Sequence, residues 1–545
     1  MSEQSLFEQA QQEFAERQSA SIQSSSDEDQ DKKATLAEKF VLFVQERAEL
    51  FHDENREAYA TVKATGHTFK IGSSAFDDWL CSSLMDESGT VAREQPRREA
   101  IQTLRGIARH KGEEMAVWLR CGVASDGAYV VDLCQPDNSN AVVIHPGKWD
   151  VVAVPPIRFV RNPDSLPLPA PTKGGDISPL WRVANVPEDM RSLVLAWLLE
   201  SFRPDTPFPV LELIGEEGTA KSTTQNALRN LIDPNRVNLR AAPRNREDLC
   251  TSAAVNWLVS YENLSHLSPD LQDALCTVAT GGGFATRKLY TTGEETTLKF
   301  KRPVILNGIS AVVTQQDLLG RAVSLELPRI VMRQDDSETQ TTFKTYHAQM
   351  LGAVFDLLAA ALAELPNIYI DPEAKPRMAD FCRLGMAMEK ALGHDPQRFY
   401  AKYADMHRDS IQRTIDSSPV AAAIMALLES EPFGITAPAA KILERLTPYR
   451  PDRCDSWPRS GKGLGDALRR LSPAFSKLGV EIRRREDLSR RDGNQWEIGV
   501  SKTLKVTSPT SPTSRDQPVC EHGERGEHDS RVYDTPLAGD DCEVF

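Results

Sequence analysis

The middle third of this chain carries short, nearly unbroken apolar runs, whereas both flanks carry apolar residues at helical spacing. Leu211 to Ile214, Ala253 to Tyr261 and Val304 to Leu306 are runs of the first kind, each closing on small, acidic or amide residues. Such runs predict strands buried on both faces, as in a parallel sheet covered by helices. Met190 to Phe202 reads as the helix that opens this module, which closes near Leu327-Pro328. Upstream, from Leu36 to about Pro171, helices such as Arg97 to His110 alternate with short strands such as Gly127 to Leu133 and Ala141 to His145, an α+β pattern. The proline-rich stretch Leu166 to Pro171 reads as the linker that ends it.

Downstream, Phe343 to Asp416 is mostly helical, with a break around Pro366 to Pro376. Pro419 to Glu429, Ala437 to Leu446 and Gly463 to Leu478 follow as amphipathic helices, and Gly479 stops the last of them. Val480 to Arg485 and Gln495 to Ile498 then pair around Asp492-Gly493. Helices followed by such a hairpin describe a winged helix-turn-helix. The expected organisation is a disordered acidic segment over 1–34, an α+β domain over 35–172, an α/β core over 173–335, a helical region over 336–410, a winged-helix domain over 411–500 and a disordered tail over 501–545.

Composition is compatible with several folded units: 545 residues support about three domains, and 40% hydrophobic residues suffice for their cores. No run of 18 apolar residues occurs, and the acidic start Met1-Ser2-Glu3-Gln4 lacks a signal peptide's basic and apolar regions, so no membrane partner and a cytoplasmic location are expected. Nine cysteines without paired spacing indicate neither a disulfide framework nor a zinc site, and Cys520, Glu521, His522, His528 and Cys542 in the acidic tail are a weaker alternative as a ligand cluster. A net charge of −14 argues at first against nucleic acid, but residues 1–60 carry −8 and residues 515–545 carry −6, which is the whole of it. The folded middle is near neutral, and local basic patches can dominate its surface.

The chemistry concentrates after the first apolar run, where Gly215-Glu216-Glu217-Gly218-Thr219-Ala220-Lys221-Ser222-Thr223 joins a strand to a helix. Small residues let backbone N–H groups approach a phosphate, the helix N-terminus favours negative charge, Lys221 can reach the β/γ oxygens and Ser222 can offer a hydroxyl to Mg²⁺. This is the outline of a phosphate-binding P-loop. Ala220 departs from it, since Gly is commonest before the Lys, and its methyl group is tolerable if the residue already has helical φ. The second run ends in Glu262, placed to hold Mg²⁺ or polarise water if it caps a strand beside the loop, and otherwise an exposed strand-end carboxylate. The third ends in Asn307, whose amide can position water against a γ-phosphate. Arg321 follows a short helix at Asp317, where it can serve a neighbouring subunit as an arginine finger or simply pair with Asp317.

Together the segments GEEGTAKST, WLVSYEN, TGGGFATRKLY, RPVILNG and DLLGR resemble the AAA+ ATPases of superfamily 3 helicase type carried by phages and integrative elements, over roughly residues 40–500. The resemblance implies an AAA+ fold for the P-loop core, with Lys221 and Ser222 as Walker A residues, Glu262 as Walker B acid, Asn307 as sensor and Arg321 as finger. It also implies ATP and Mg²⁺ as cofactors, DNA as substrate and a homo-oligomeric ring. The family commonly has Asp where Glu262 stands.

Two basic segments point to DNA from the residues themselves. The stretch 285–302 reads as a hairpin about a Gly-Glu turn, with Arg287 and Lys288 in its first arm and Lys299 and Lys301 sharing a face of its second. In the C-terminal unit, Lys462, Arg469 and Arg470 fall on or before the recognition helix, and Arg483, Arg484, Arg485, Arg490 and Arg491 fall along the wing. Either segment could instead be a solvated face or a basic packing surface. An ATP-dependent helicase or translocase is the expected function, with an ATP-gated DNA binder as the alternative. No acidic triad or zinc motif in residues 35–172 supports nucleotidyl transfer.

Overall fold

A computed structural model describes residues 34–287, 295–330, 335–416, 418–451, 457–485 and 495–500. The acidic N-terminus, Lys288, Arg490, Arg491 and the C-terminal tail lie outside the described residues, as does the side chain of Arg287.

The N-terminal region opens with α1 (Leu36–Arg47), which a reciprocal capping box between Thr35 and Glu38 starts. Strands β1 (Ala48–His52), β2 (Ala58–Val62) and β3 (Thr68–Lys70) form an antiparallel meander, followed by α2 (Ser74–Ser88) and α3 (Glu94–His110). The apolar stripe of α3 buries Ala100, Ile101, Leu104 and Ala108 against α1 and the meander, as its spacing predicts. Short strands β4 (Val117–Trp118) and β9 (Arg158–Phe159) pair around a second meander of β5 (Cys121–Val123), β6 (Tyr129–Asp132), β7 (Ala141–His145) and β8 (Lys148–Val152).

One face of that second meander packs a small cluster of Ala124, Ala128, Val130, Ala141 and Phe159, while its other face joins the central core. One continuous cluster runs from Cys121, Val131 and Ile144 through the central helices to Phe355 and Phe381. The proline-rich stretch is accordingly not a free linker: Leu168 is fully buried, and Leu166 and Leu168 donate backbone hydrogen bonds to Pro234 and Leu133. Thr172 lies so close to Gly352 that a Cβ there would fall 1.7 Å from the Thr172 carbonyl oxygen.

Helices α4 (Leu180–Val183) and α5 (Arg191–Glu200) lead into the central layer, four parallel strands in the order β11 (Val259–Leu264), β14 (Val304–Gly308), β10 (Val210–Ile214), β15 (Ala322–Glu326). Every residue of β10 and β14 is buried, which is why both read as unbroken apolar runs. The chain leaves β10 through α6 (Lys221–Ile232) and α7 (Arg246–Val255) to reach β11 on one side, while β15 takes the other. The loop after β10 thus stands at the point where strand order reverses, the crevice in which open α/β sheets bind ligands. Ala253, Ala254 and Val255 close α7 rather than opening β11, so the second apolar run is part helix and part strand. After β11 come α8 (Pro269–Thr280), capped by Ser268, the antiparallel pair β12 (Gly282–Arg287) and β13 (Glu295–Phe300), and α9 (Gln316–Leu319).

A helical layer of α10 (Asp336–Glu364), α11 (Ala379–Ala391) and α12 (Gln397–Asp416) covers the sheet. Among the described residues, the segment 336–367 is the one long and apolar enough to span a membrane, and half of its most apolar window is buried inside the protein. His347 on α10 and His407 on α12 are half-buried, packed against Phe343 and Tyr403, and their partial burial lowers each pKa to about 4 from 6.5. The folded-state values lie below the unfolded one, so between them the unfolded chain binds more protons. Their contribution to stability should be complete above about pH 6.5 and be lost as pH falls toward about 4. Urea midpoints measured across that window should fall with pH, and His407→Phe should flatten the slope.

The C-terminal unit has its own core. It comprises α13 (Pro419–Ser430), β16 (Ile435–Pro438), α14 (Ala439–Leu446), α15 (Gly461–Lys477), β17 (Val480–Arg485) and β18 (Gln495–Val500). The expected two-stranded wing is a three-stranded sheet, order β16-β18-β17, because Ile435 to Pro438 pairs with β18. Gly479, at φ 79°, turns the chain from α15 into β17.

Candidate functional site

The loop between β10 and α6 wraps a small space at the sheet's carboxyl edge. A Cβ on Gly215 would fall 2.6 Å from Thr219 Oγ1, so only glycine fits, and Gly218 takes a positive φ of 85°. Ala220 does not have helical φ: it sits in the left-handed region at φ 52°, ψ 35°. The expectation for that methyl group is therefore corrected. Glycine adopts this conformation freely, whereas alanine is strained by about 1–2 kcal/mol. Lys221, the first residue of α6, folds back so that Nζ donates to the carbonyls of Gly215 and Glu216, both at 2.7 Å. Partial burial lowers its pKa, against the pull of the Glu217 carboxylate.

One residue further, Ser222 Oγ donates to Glu262 Oε2 at 3.0 Å, so the hydroxyl from α6 and the carboxylate from β11 meet at the mouth of the loop. Two hard oxygens from different elements suit an ion that keeps most of its shell as water and phosphate oxygen, as Mg²⁺ does. Among the described residues no cluster of three His, Cys, Asp or Glu offers a cage of another kind. Asn307 lies behind this pair and is fully buried. Its Oδ1 accepts from the Asn263 N–H at 2.8 Å, and its Nδ2 donates to Gln225 Oε1 at 2.5 Å. Gln225 in turn donates to Ser260 Oγ and the Tyr261 carbonyl. Asn307 thus holds Asn263 at its positive φ of 55° and fixes the strand end that carries Glu262.

Sequence reasoning missed Gln225 and also Asn185. Asn185 Nδ2 donates to the carbonyls of Thr219 and Pro328, and its backbone N–H donates to Thr224 Oγ1, which pins the loop to the end of β15. Gln225 had a faint signal, a polar residue one helical turn after Lys221 on a buried face. Asn185 had none. An open cleft of about 620 Å³ runs along this loop, lined by Trp181, Asn185, Lys221, Ser222 and Asn263.

Arg321 is at the other end of the sheet. It precedes β15, its carbonyl accepts from Val210 N at the start of β10, and its guanidinium pairs with Asp317, which Arg377 also engages. A strand of five residues separates it from Lys221, on the order of 16 Å of extended chain. Lys299 is exposed on β13, but Lys301 lies past the strand end and is half-buried against Gly281. Burial lowers its pKa, while Asp205, Glu200 and Asp380 act to raise it. The expected two-lysine row is therefore one exposed lysine and one at the hairpin's base.

Residues 177–409 match the family model of the actinomycete integrative conjugative element replication protein, and residues 420–514 match that of the C-terminal domain of the same replication protein, together more than half of the chain. The chain belongs to this replication-protein family. No curated protein matches it. Among solved structures it is similar to the apo A form of the NrS-1 C-terminal region, 11% identical over 85% of this chain and 98% of that one, with a TM-score of 0.37. It is also similar to JCV helicase, 14% identical over 42% of this chain and 63% of that one, with a TM-score of 0.23.

The C-terminal segment of this mobile-element replication protein carries the second set of candidate cations. Lys462 and Arg469 are seven residues apart on α15, hence on one face, with Arg470 beside them, and all three are exposed. Arg469 pairs with Asp466. Arg483, Arg484 and Arg485 do not form one row, because strand alternation sets Arg484 on the opposite face from the other two. Arg483 pairs with Glu481 and Arg485 with Glu497, so part of the wing's charge is already answered.

Proposed function

We propose that this replication protein is an ATP-dependent DNA helicase or translocase that works as a homo-oligomeric ring. The observation that carries this reading is the loop at the strand-order reversal, with Lys221 at its helix N-terminus and Ser222 in contact with Glu262. In this reading the loop's N–H groups and Lys221 bind the β/γ phosphates, Lys221 leaving the two carbonyls it now occupies. Mg²⁺, held through Ser222 and Glu262, would supply charge neutralisation at the phosphates. Glu262 also orients the attacking water, and Asn307 keeps Glu262 in place through Asn263, a positioning role that leaves the phosphate itself to the loop. Arg321 cannot reach the loop of its own chain, so its place in the reaction is in the site of a neighbour.

The hairpin β12–β13 and the face of α15 are the proposed DNA contacts. Strand displacement on a forked duplex, with ATP hydrolysis measured with and without single-stranded DNA, tests the reading. Displacement that requires ATP supports it. Nucleotide-dependent DNA binding without displacement would instead favour an ATP-gated binder. For duplex contact, replacing Lys462, Arg469 and Arg470 by alanine in the full chain should weaken binding. The slope of log affinity against log salt should become shallower by about two to three, since each phosphate contact releases about 0.9 counterion. An unchanged slope would place the DNA elsewhere.

A further inference from the structure

The cleft along the loop does not end at Ser222. Past Val183 and Thr223 it opens into a second cleft of about 670 Å³ between α6 and the first half of α10. Its lining changes character there: Ala227, Leu239, Phe343 and the face of the His347 ring supply an apolar, aromatic wall beside the polar Gln340 and Lys344, with Phe343 and His347 tilted against each other at 4.8 Å. Asn226 and Asn230 enter the same slot from α6. With Ser222 they are spaced four residues apart on one helix face, so they stand about 6 and 12 Å along the helix from the hydroxyl at the phosphate end. A polar end rich in backbone N–H groups joined to a slot with an apolar, aromatic wall has the layout of a nucleotide, phosphates first and base second.

The two asparagines are oriented by a chain of hydrogen bonds that begins at a group whose role is fixed. The backbone N–H of Asn235 can only donate, and it donates to Asn238 Oδ1 at 2.9 Å. Asn238 therefore turns Nδ2 the other way, where it donates to Asn226 Oδ1 at 2.7 Å and to Asn230 Oδ1 at 2.8 Å. With both oxygens spent, Asn226 and Asn230 present their Nδ2 groups away from Asn238, and neither Nδ2 meets an acceptor among the described residues.

We infer that the slot between α6 and α10 is the base subsite of the proposed nucleotide site, and that the Asn226–Asn230 pair, set by Asn238, reads acceptors on a purine. Adenine and guanine share the N7 acceptor, but beside it adenine carries an amino donor and guanine an O6 acceptor. A pair of donors has no means of rejecting guanine, and the other polar groups of the cleft, the Gln340 amide and the unpartnered His347 Nε2, can each donate or accept, so the site takes guanosine as readily as adenosine triphosphate. This inference rests on the nucleotide-site reading above.

The test is equilibrium binding of ATP, GTP and inorganic tripolyphosphate to the full chain in the presence of Mg²⁺, by titration calorimetry. The parent should bind ATP and GTP within about fivefold of each other. Asn226→Asp with Asn230→Asp exchanges donors for acceptors and should shift the ratio toward ATP by about tenfold or more. Both ligands carry the same triphosphate, so the ratio cancels the repulsion the new carboxylates add. Asn238→Ala, which frees the two amides to turn, should shift the ratio the same way by less. A parent that prefers ATP by more than about thirtyfold, or folded variants with an unchanged ratio, overturn the inference and leave the nucleotide site standing. A parent that binds none of the three ligands overturns both.

Discussion

Lys221→Ala is expected to abolish ATP hydrolysis while leaving the protein folded. The ammonium is the one positive charge the loop itself carries, and removing a single preorganised electrostatic contact to a developing anion typically costs about a hundred- to a thousandfold in rate. Here the loss should reach the upper end, because Lys221 would also help bind the substrate phosphates. Little of the fold depends on it: Nζ donates only to the carbonyls of Gly215 and Glu216, the second at an exposed residue. Phosphate release and the urea midpoint, measured on the same preparation, separate the two effects. Turnover equal to the parent's would remove the nucleotide-site reading, and a collapsed midpoint would show that the lysine's two carbonyl contacts are structural.

The strand layer was legible because its residues are buried on both faces, so that burial alone writes the pattern into Leu211 to Ile214 and Val304 to Leu306. The end of an element was legible where a glycine has a local job, as at Gly479, whereas the caps at Thr35 and Ser268 were not read from the sequence. What could not be read depends on partners distant in sequence. Ala220 is left-handed because the loop must turn its N–H groups inward, a demand set by the fold around it and not by its neighbours in the chain. The strand β16 hides between two helices because four residues ending in proline carry almost no strand signal of their own. Lys299 and Lys301 alternate correctly, yet a strand that stops at Phe300 leaves the second lysine to pack against Gly281.

The candidate site divides along the same line. Lys221, Ser222 and Glu262 could be found because their chemistry needs a charge, a hydroxyl and a carboxylate at strand ends, and the structure brings the last two within 3.0 Å. Asn307 was found for the right place but a different contact: its amide is spent inside the protein, between Asn263 and Gln225. Asn185, Asn226, Asn230 and Asn238 act through hydrogen bonds that span loops and helix turns. A lone asparagine in a sequence says nothing about which way its amide will face.

Arg321→Ala should still bind nucleotide but hydrolyse it about 10³- to 10⁵-fold more slowly, the range in which arginine fingers act. The distance between the two residues decides what kind of defect this is. Arg321 and Lys221 sit at opposite ends of the parallel strands, so the arginine contributes nothing to its own chain's loop. Its guanidinium is now engaged by Asp317, which Arg377 shares. In a ring that carboxylate could pass wholly to Arg377 while Arg321 turns to the neighbouring site. The decisive measurement is therefore a mixture. Arg321→Ala keeps a sound loop and lacks a finger, while Lys221→Ala lacks the loop's charge and keeps a finger, so mixed assemblies contain some interfaces with both. Activity above the sum of the two separate variants would establish a shared site. If mixing restores nothing while each variant still assembles, Arg321 serves only its ion pair with Asp317, and the finger must be sought in another residue.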